Sequence, residues 1–210
     1  FKTDSITNPT WDISQTTTKY KDEFIKNSHW LKFAFHGVDF TTYPSTEEDD
    51  VLLNYIKDVY DDIISFSGEC CIDTVPRLSF FSANKKQVIK MKNNNLITGL
   101  LTADDKRTLN VGLDKNELWI MNNYDMFTDF KNNICYFRSE QRIDDTDVFT
   151  RDGVISALNE KYNDKNNSNI FIIFGHKITT SEMQERFKLV CEWIKEKNLE
   201  YDYPMNNINY

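Results

Sequence analysis

Four strand-like runs of this sequence lead into side chains able to do chemistry. WLKFAFH, 30 to 36, closes on His36, with Asp39 three residues on; VPRLSFF, 75 to 81, holds Arg77; LITGLLTA, 96 to 103, leads into Asp104-Asp105; NIFIIFGH, 169 to 176, closes on His176. Imidazoles and carboxylates move protons near neutral pH and ligate divalent metals, while a guanidinium is permanently charged and pairs with carboxylates. In parallel α/β folds the groups that follow the carboxyl ends of strands converge over the core, so these residues form a candidate pocket. The alternative for each histidine is a hydrogen-bonded structural residue. For His36 the choice lies between a metal ligand at a strand end and a core side chain.

The elements that must position these groups alternate along the chain. TTKYKDEFIKN, 17 to 27, has the pattern of a short helix, and WLKFAFH that of a strand. Ser45 or Thr46 can cap a helix that opens in the acidic run Glu47 to Asp50, where negative charge suits the helix N-terminus. Val51, Leu52, Asn54, Tyr55, Ile56, Val59, Tyr60, Ile63 and Ile64 continue it at helical spacing as far as Gly68. Strand 75 to 81, helix 84 to 94 and strand 96 to 103 make a strand, helix, strand unit. ELWIMNN, 117 to 123, and NICYFRSE, 133 to 140, read as strands, and RDGVISALNEKYN, 151 to 163, as a helix. NIFIIFGH is nearly continuous Ile and Phe, the pattern of a strand buried on both faces. SEMQERFKLVCEWIKEKN, 181 to 198, is a helix with Phe187, Val190, Cys191 and Ile194 on one face, and EYDYP can add a last strand. Alternation of this kind implies an α/β fold with parallel pairing, either an open sheet or a barrel.

The 210 residues, 40% apolar and 14% aromatic, suit one domain over 1 to 210 with a full core. A net charge of −8 with clustered acids argues against a nucleic-acid partner, which needs concentrated Lys and Arg. No run approaches the roughly 20 apolar residues that span a bilayer, so no membrane partner is expected. The chain opens on Phe1, with no basic-then-apolar signal segment. Cys70, Cys71, Cys135 and Cys191 lack CxxC zinc spacing and read as free, buried thiols, which leaves the compartment open. GxGxxG, GxxxxGK[ST] and GxSxG are all missing from the sequence.

The order of these motifs resembles the polysaccharide deacetylase (NodB-homology) superfamily over roughly residues 30 to 204. WLKFAFHGVDF is similar to the strand that ends in the family's HxxxH metal motif, TVPRLSFFSANKKQVIKMKNNNLITGLL to its arginine-bearing strand with the following helix and strand, and NIFIIFGHK to its last strand. WDIS, KYKDEF, WLKF and GLLTADD also look like stretches of a divergent bacterial subgroup. The resemblance implies a distorted (β/α)7-type barrel and a metal-dependent hydrolase acting on carbohydrate, most simply by removing acetyl groups from a glycan. In that chemistry a divalent metal, usually zinc, polarises the acetyl carbonyl and acidifies a water, an aspartate takes the proton and a histidine protonates the leaving group. Carried over by position, His36 is implied as a metal ligand and His176 as the general acid. Arg77 is then the residue that orients carboxylates, and Asp104 or Asp105 the group that holds His176. A soluble protein of the bacterial cytoplasm or of the secreted or cell-envelope set is the implied location.

Two departures stand beside the matches. The family's second metal histidine falls on Phe40, so Asp39 substitutes only if its carboxylate turns inward. The family's Asp-Asp pair on the first strand would lie upstream of Phe1, so the expectation is a barrel lacking its N-terminal strand; Asp4 and Asp12 are the stand-ins. Tyr43, Phe80, Phe81 and Trp119 are candidates for a sugar-stacking platform, because aromatic faces bind the apolar side of a pyranose, though aromatics more often fill cores. Trp30 and Trp193 read as packing residues, and His29 as a surface or cap residue. The second functional reading is a catalytically inactive deacetylase-like module that binds a glycan or serves structurally. A third is a glycoside hydrolase on paired carboxylates; it suits Asp104-Asp105 poorly, since adjacent residues of an extended chain face opposite ways.

Overall fold

The protein is described by a computed structural model that covers residues 12–38, 42–103, 111–139, 141–144, 151–163, 170–176 and 180–208. Six α-helices occur among them: α1 Lys21–Asn27, α2 Asp49–Ser67, α3 Lys85–Asn93, α4 Lys115–Asn123, α5 Arg151–Tyr162 and α6 Ser181–Glu196. Five short strands accompany them: β1 Gly99–Thr102, β2 Met126–Asp129, β3 Ile134–Arg138, β4 Gln141–Arg142 and β5 Ile173–Phe174. The class is mixed α/β.

Helix α2 follows its sequence pattern. Asp49 and Asp50 occupy its first turn, Leu52, Leu53, Ile56, Tyr60, Ile63 and Phe66 are buried, and Gly68 ends it at φ 92°. The Asp49 carboxylate pairs with Lys86 and Lys90, tying α2 to α3. Asn84 and Gln87 form a capping box at the start of α3, and the buried Gln87 amide also donates to the carbonyls of Pro44 and Glu47.

β1 pairs in parallel with β3, β3 pairs antiparallel with β2, and β4 pairs in parallel with β5. Single backbone hydrogen bonds extend this pairing outward. Phe33 N–H donates to Cys71, Asp73 N–H to Phe33 and Ser79 N–H to His36; Thr98 N–H donates to Thr74 and Leu101 N–H to Pro76. Five extended segments therefore lie side by side in chain order and in parallel: 33–36, 72–78, β1, the β3–β4 stretch and 172–174. A helix follows each of the five, α2 to α6 in turn. Among the described residues this succession does not close, so the seven-stranded barrel expected from the sequence is not seen as such; regular pairing is short because several segments share only one or two hydrogen bonds.

Side chains alternate across the segments with period two, as extended backbone requires. Val75, Leu101, Cys135, Phe137, Ile170 and Ile172 enter one cluster, onto which Met205 and Ile208 of the chain's tail pack. Phe35, Leu100, Ile134 and Tyr136 point the other way into a cluster with α2 and α3, while Phe171 and Ile173 meet α5 and α6 around Trp193. Residues 170–174 thus contact apolar clusters on both faces but are only half-buried, short of the burial expected of NIFIIFGH, and regular pairing spans only Ile173–Phe174.

Several expectations need correction. ELWIMNN is α4 rather than a strand, because Asp114 accepts from the Asn116 and Glu117 N–H groups while Glu117 accepts from Asp114 N–H, a reciprocal cap that starts a helix. VPRLSFF is extended only to Leu78 and then turns through Ser79–Phe81. EYDYP leads into a 3-10 turn, Pro204–Asn207, and not a strand. Trp30 is 58% exposed, its indole N–H donating to Asn27, so it is no packing residue; Cys70 is exposed, although all four cysteines are free. Asp12 caps a 3-10 turn through Ser14, and Asp4 lies outside the described residues.

Gly99 lies opposite Cys135, where β1 packs tightly on β3. A Cβ there would sit 2.5 Å from the Cys135 carbonyl oxygen, which is backbone and cannot rotate away. Gly99→Ala is expected to lower stability by about 1–3 kcal/mol through forced separation of the pair, read from the urea midpoint at unchanged slope.

Candidate functional site

His36, Arg77, Asp144 and His176 leave the ends of four of the five parallel segments and meet. The His36 ring nitrogen Nδ1 lies 2.5 Å from the carbonyl oxygen of Arg77. A carbonyl only accepts, so Nδ1 carries the proton and the lone pair of this imidazole is on Nε2. Burial holds the His36 pKa below its ordinary value, with the backbone bond opposing and the charges of Arg77 and His176 adding to the depression. The ring is neutral at pH 7.

The Arg77 guanidinium reaches across to the other histidine. Its NH2 group is 3.2 Å from His176 Nε2, and His176 Nδ1 is 2.8 Å from an Asp144 carboxylate oxygen. Arginine only donates, so Nε2 accepts and Nδ1–H is given to Asp144; the two neighbours together select one tautomer. Asp144 also accepts from Arg142 Nε at 3.0 Å and NH2 at 3.2 Å. Burial pushes the Asp144 carboxyl upward, but its hydrogen bonds to Arg142 and His176 outweigh that and hold it below the usual carboxylate range. Arg77 and Arg142 thus flank the His176–Asp144 pair, and each guanidinium can donate to an electron-rich oxygen.

Aromatic rings form the floor. The Arg77 guanidinium lies 5.6 Å from the Phe81 ring centre and 5.4 Å from that of Phe174; Phe174 is edge-on to both Phe81 and His176. Phe80 and Phe81 both have positive φ, 55° and 52°. Left-handed backbone at a bulky residue costs on the order of 1–3 kcal/mol. Its effect here is to send neighbouring rings to opposite sides: Phe81 is buried beneath Arg77, whereas Phe80 is part-exposed and stacks on Tyr43 at 4.2 Å. A Ser45–Ser82 hydroxyl hydrogen bond holds the two loops together beside that pair.

The sequence-derived candidates therefore separate. His36, Arg77, His176 and Phe81 come together, and Tyr43 pairs with Phe80 across two neighbouring loops. Trp119 is elsewhere, 61% exposed on α4, with its ring against Tyr124 rather than the imidazoles. Asp39, Asp104 and Asp105 lie outside the described residues. The carboxylate that holds His176 is Asp144, which the sequence reading passed over along with Arg142. The available signal was QRIDD, 141 to 145, directly following NICYFRSE: strand pairing resumes at Gln141–Arg142, and Asp144 stands where the other segments carry His or Arg.

Among the described residues no group of three His, Cys, Asp or Glu is placed to hold a metal ion. His36 Nε2 is one candidate ligand, whereas His176 Nε2 faces a guanidinium. The described residues do not make up a zinc shell. No family model matches the chain, and neither a curated protein nor a solved structure matches it.

Depression of the His36 pKa makes stability depend on pH. Between the folded pKa and the unfolded value near 6.5 the unfolded chain binds more protons, so stability falls as pH drops through that window. Melting temperatures taken from pH 7.5 to pH 5 should decline for the wild type and decline less for His36→Gln. Equal slopes would show that the ring is not held neutral by burial.

Proposed function

We propose that this protein is a hydrolase acting on carbohydrate, removing acetyl groups from a glycan, on a scaffold of the barrel type to which its motif order is similar. The observation that carries the reading is His176 held between Asp144 and Arg77 at the carboxyl ends of successive parallel segments. Asp144 accepts from Nδ1–H and orients the imidazole, so once substrate displaces Arg77 the vacated Nε2 can take a proton from the attacking water and pass it to the leaving alcohol or amine as the bond to the acetyl carbon breaks. No longer donating to Nε2, the Arg77 NH2 group is placed to stabilise the negative charge that grows on the acetyl oxygen. Fixed donors in a partly dry site are worth more than the same groups in water. The exposed Tyr43–Phe80 pair offers an aromatic face to a sugar ring beside this chemistry.

A divalent metal, most simply zinc, belongs to the same proposal through the resemblance, with His36 and Asp39 as its ligands. The second reading is an inactive glycan-binding module that would use the exposed Tyr43–Phe80 face.

Acetate release from acetylated chito-oligosaccharides and acetylated xylan, with and without added zinc, separates the two. The wild type is expected to release acetate, and His176→Ala to lose about 100-fold or more of kcat at an unchanged melting temperature. Zinc content should fall in His36→Ala relative to wild type. Glycan binding without acetate release, together with equal zinc in both proteins, would establish the binding module instead.

A further inference from the structure

We infer that Arg186, on α6 and outside the group described above, is a positioning residue that fixes the direction in which Asp144 leaves its strand, and through Asp144 the orientation of His176. The inference deepens the proposed site and rests on it only for its kinetic consequence.

Arg186 is 4% exposed, a depth at which a cation is rarely found without a specific partner. Its NH1 group donates to the carbonyl oxygen of Ile143 at 2.7 Å, and its NH2 group to Glu182 Oε1 at 2.7 Å, one helical turn earlier. That carbonyl shares a rigid peptide plane with the Asp144 nitrogen. Holding the oxygen therefore sets the rotation at which Asp144 begins. The other side of the same residue is already held, since Ile143 N–H donates to Phe174 O at 2.9 Å. Ile143 is thus bonded on one edge to the segment that bears His176 and on the other to α6.

A second observation places α6 against His176 itself. A Cβ on Gly175 would come within 2.9 Å of Ile143 Cγ1 and 3.1 Å of Met183 Cε, so the residue before His176 is pressed between Ile143 and the first turn of α6. One helix face, Met183 with Arg186, therefore sets the spacing between the backbone of Asp144 and that of His176. An apolar residue would fill this buried position with less desolvation penalty, since the surrounding cluster of Ile143, Val154 and Val190 is apolar. The guanidinium supplies what an apolar side chain cannot, a directed donor to one carbonyl.

The test reads the Asp144–His176 hydrogen bond directly. In the wild type, the His176 Nδ1 proton should appear as a downfield resonance in low-temperature NMR spectra, assigned by its loss in Asp144→Asn. Arg186→Met, close in volume and without a donor, is expected to fold, to lose or broaden that resonance, and to lower kcat about 10- to 100-fold with KM unchanged. Arg186→Lys, which keeps one donor, should retain the resonance. A folded Arg186→Met protein with the resonance intact and kcat unchanged would overturn the inference. If Arg186→Met does not fold, the Lys variant decides: resonance retained supports the carbonyl bond, and resonance lost in a folded Lys variant overturns it. Because the resonance is present or absent whatever the protein turns over, failure of the deacetylase reading would leave this result standing.

Discussion

Arg77 bonds both imidazoles at once, and the rest of the arrangement follows from that. Its carbonyl oxygen takes the His36 proton and its guanidinium meets His176 Nε2, although the three residues are far apart in sequence. Because a carbonyl only accepts and a guanidinium only donates, this one residue dictates which nitrogen of each ring is protonated. The charge stays cationic at any relevant pH and lies between the rings of Phe81 and Phe174, whose electron-rich faces replace part of the water it loses. The Asp144 carboxylate stands one imidazole away, on the far side of His176.

That meeting depends on parallel segments ending at one rim. Inward residues such as Val75, Leu101, Phe137 and Ile172 fill one cluster, and their neighbours Leu100, Tyr136 and Ile173 fill the clusters under the helices. With both faces of the segments covered, a slip of one residue would exchange the two sets, so register is strongly specified even where only one or two backbone bonds join neighbours. Specified register is what brings His36, Arg77, Asp144 and His176 to the same level. The strained turn at Phe80-Phe81 follows from the same need: the chain must leave the rim abruptly after Arg77, exposing one ring and burying the next.

How much of this was legible beforehand differs from residue to residue. His36 and His176 stood out because each ends an apolar run, and a polar side chain at such a boundary has few roles. α2, α3 and α6 were legible from their periodicity. Asp144 was not, because RSEQRIDD offers no apolar run to mark a strand; Gln141 and Arg142 pair with β5 through backbone groups, which carry no side-chain signature. Trp119 misled in the opposite direction. Its stretch alternates like a strand, but the Asp114–Glu117 cap just before it decides for helix, and a helix with only Met121 buried leaves the indole outside.

The amino-acid sequence alone determined the alternation of helical and extended elements, the mixed α/β class, and which polar groups stand at the ends of apolar runs, because those depend on interactions within about one turn or one strand of the chain. Only the tertiary structure decided that Asp144 holds His176, that Arg77 serves both rings, and that Arg186 steadies the peptide before Asp144. Each of these is a hydrogen bond between residues at least 32 apart in sequence, and a donor and an acceptor so separated leave no mark on their neighbours in the chain.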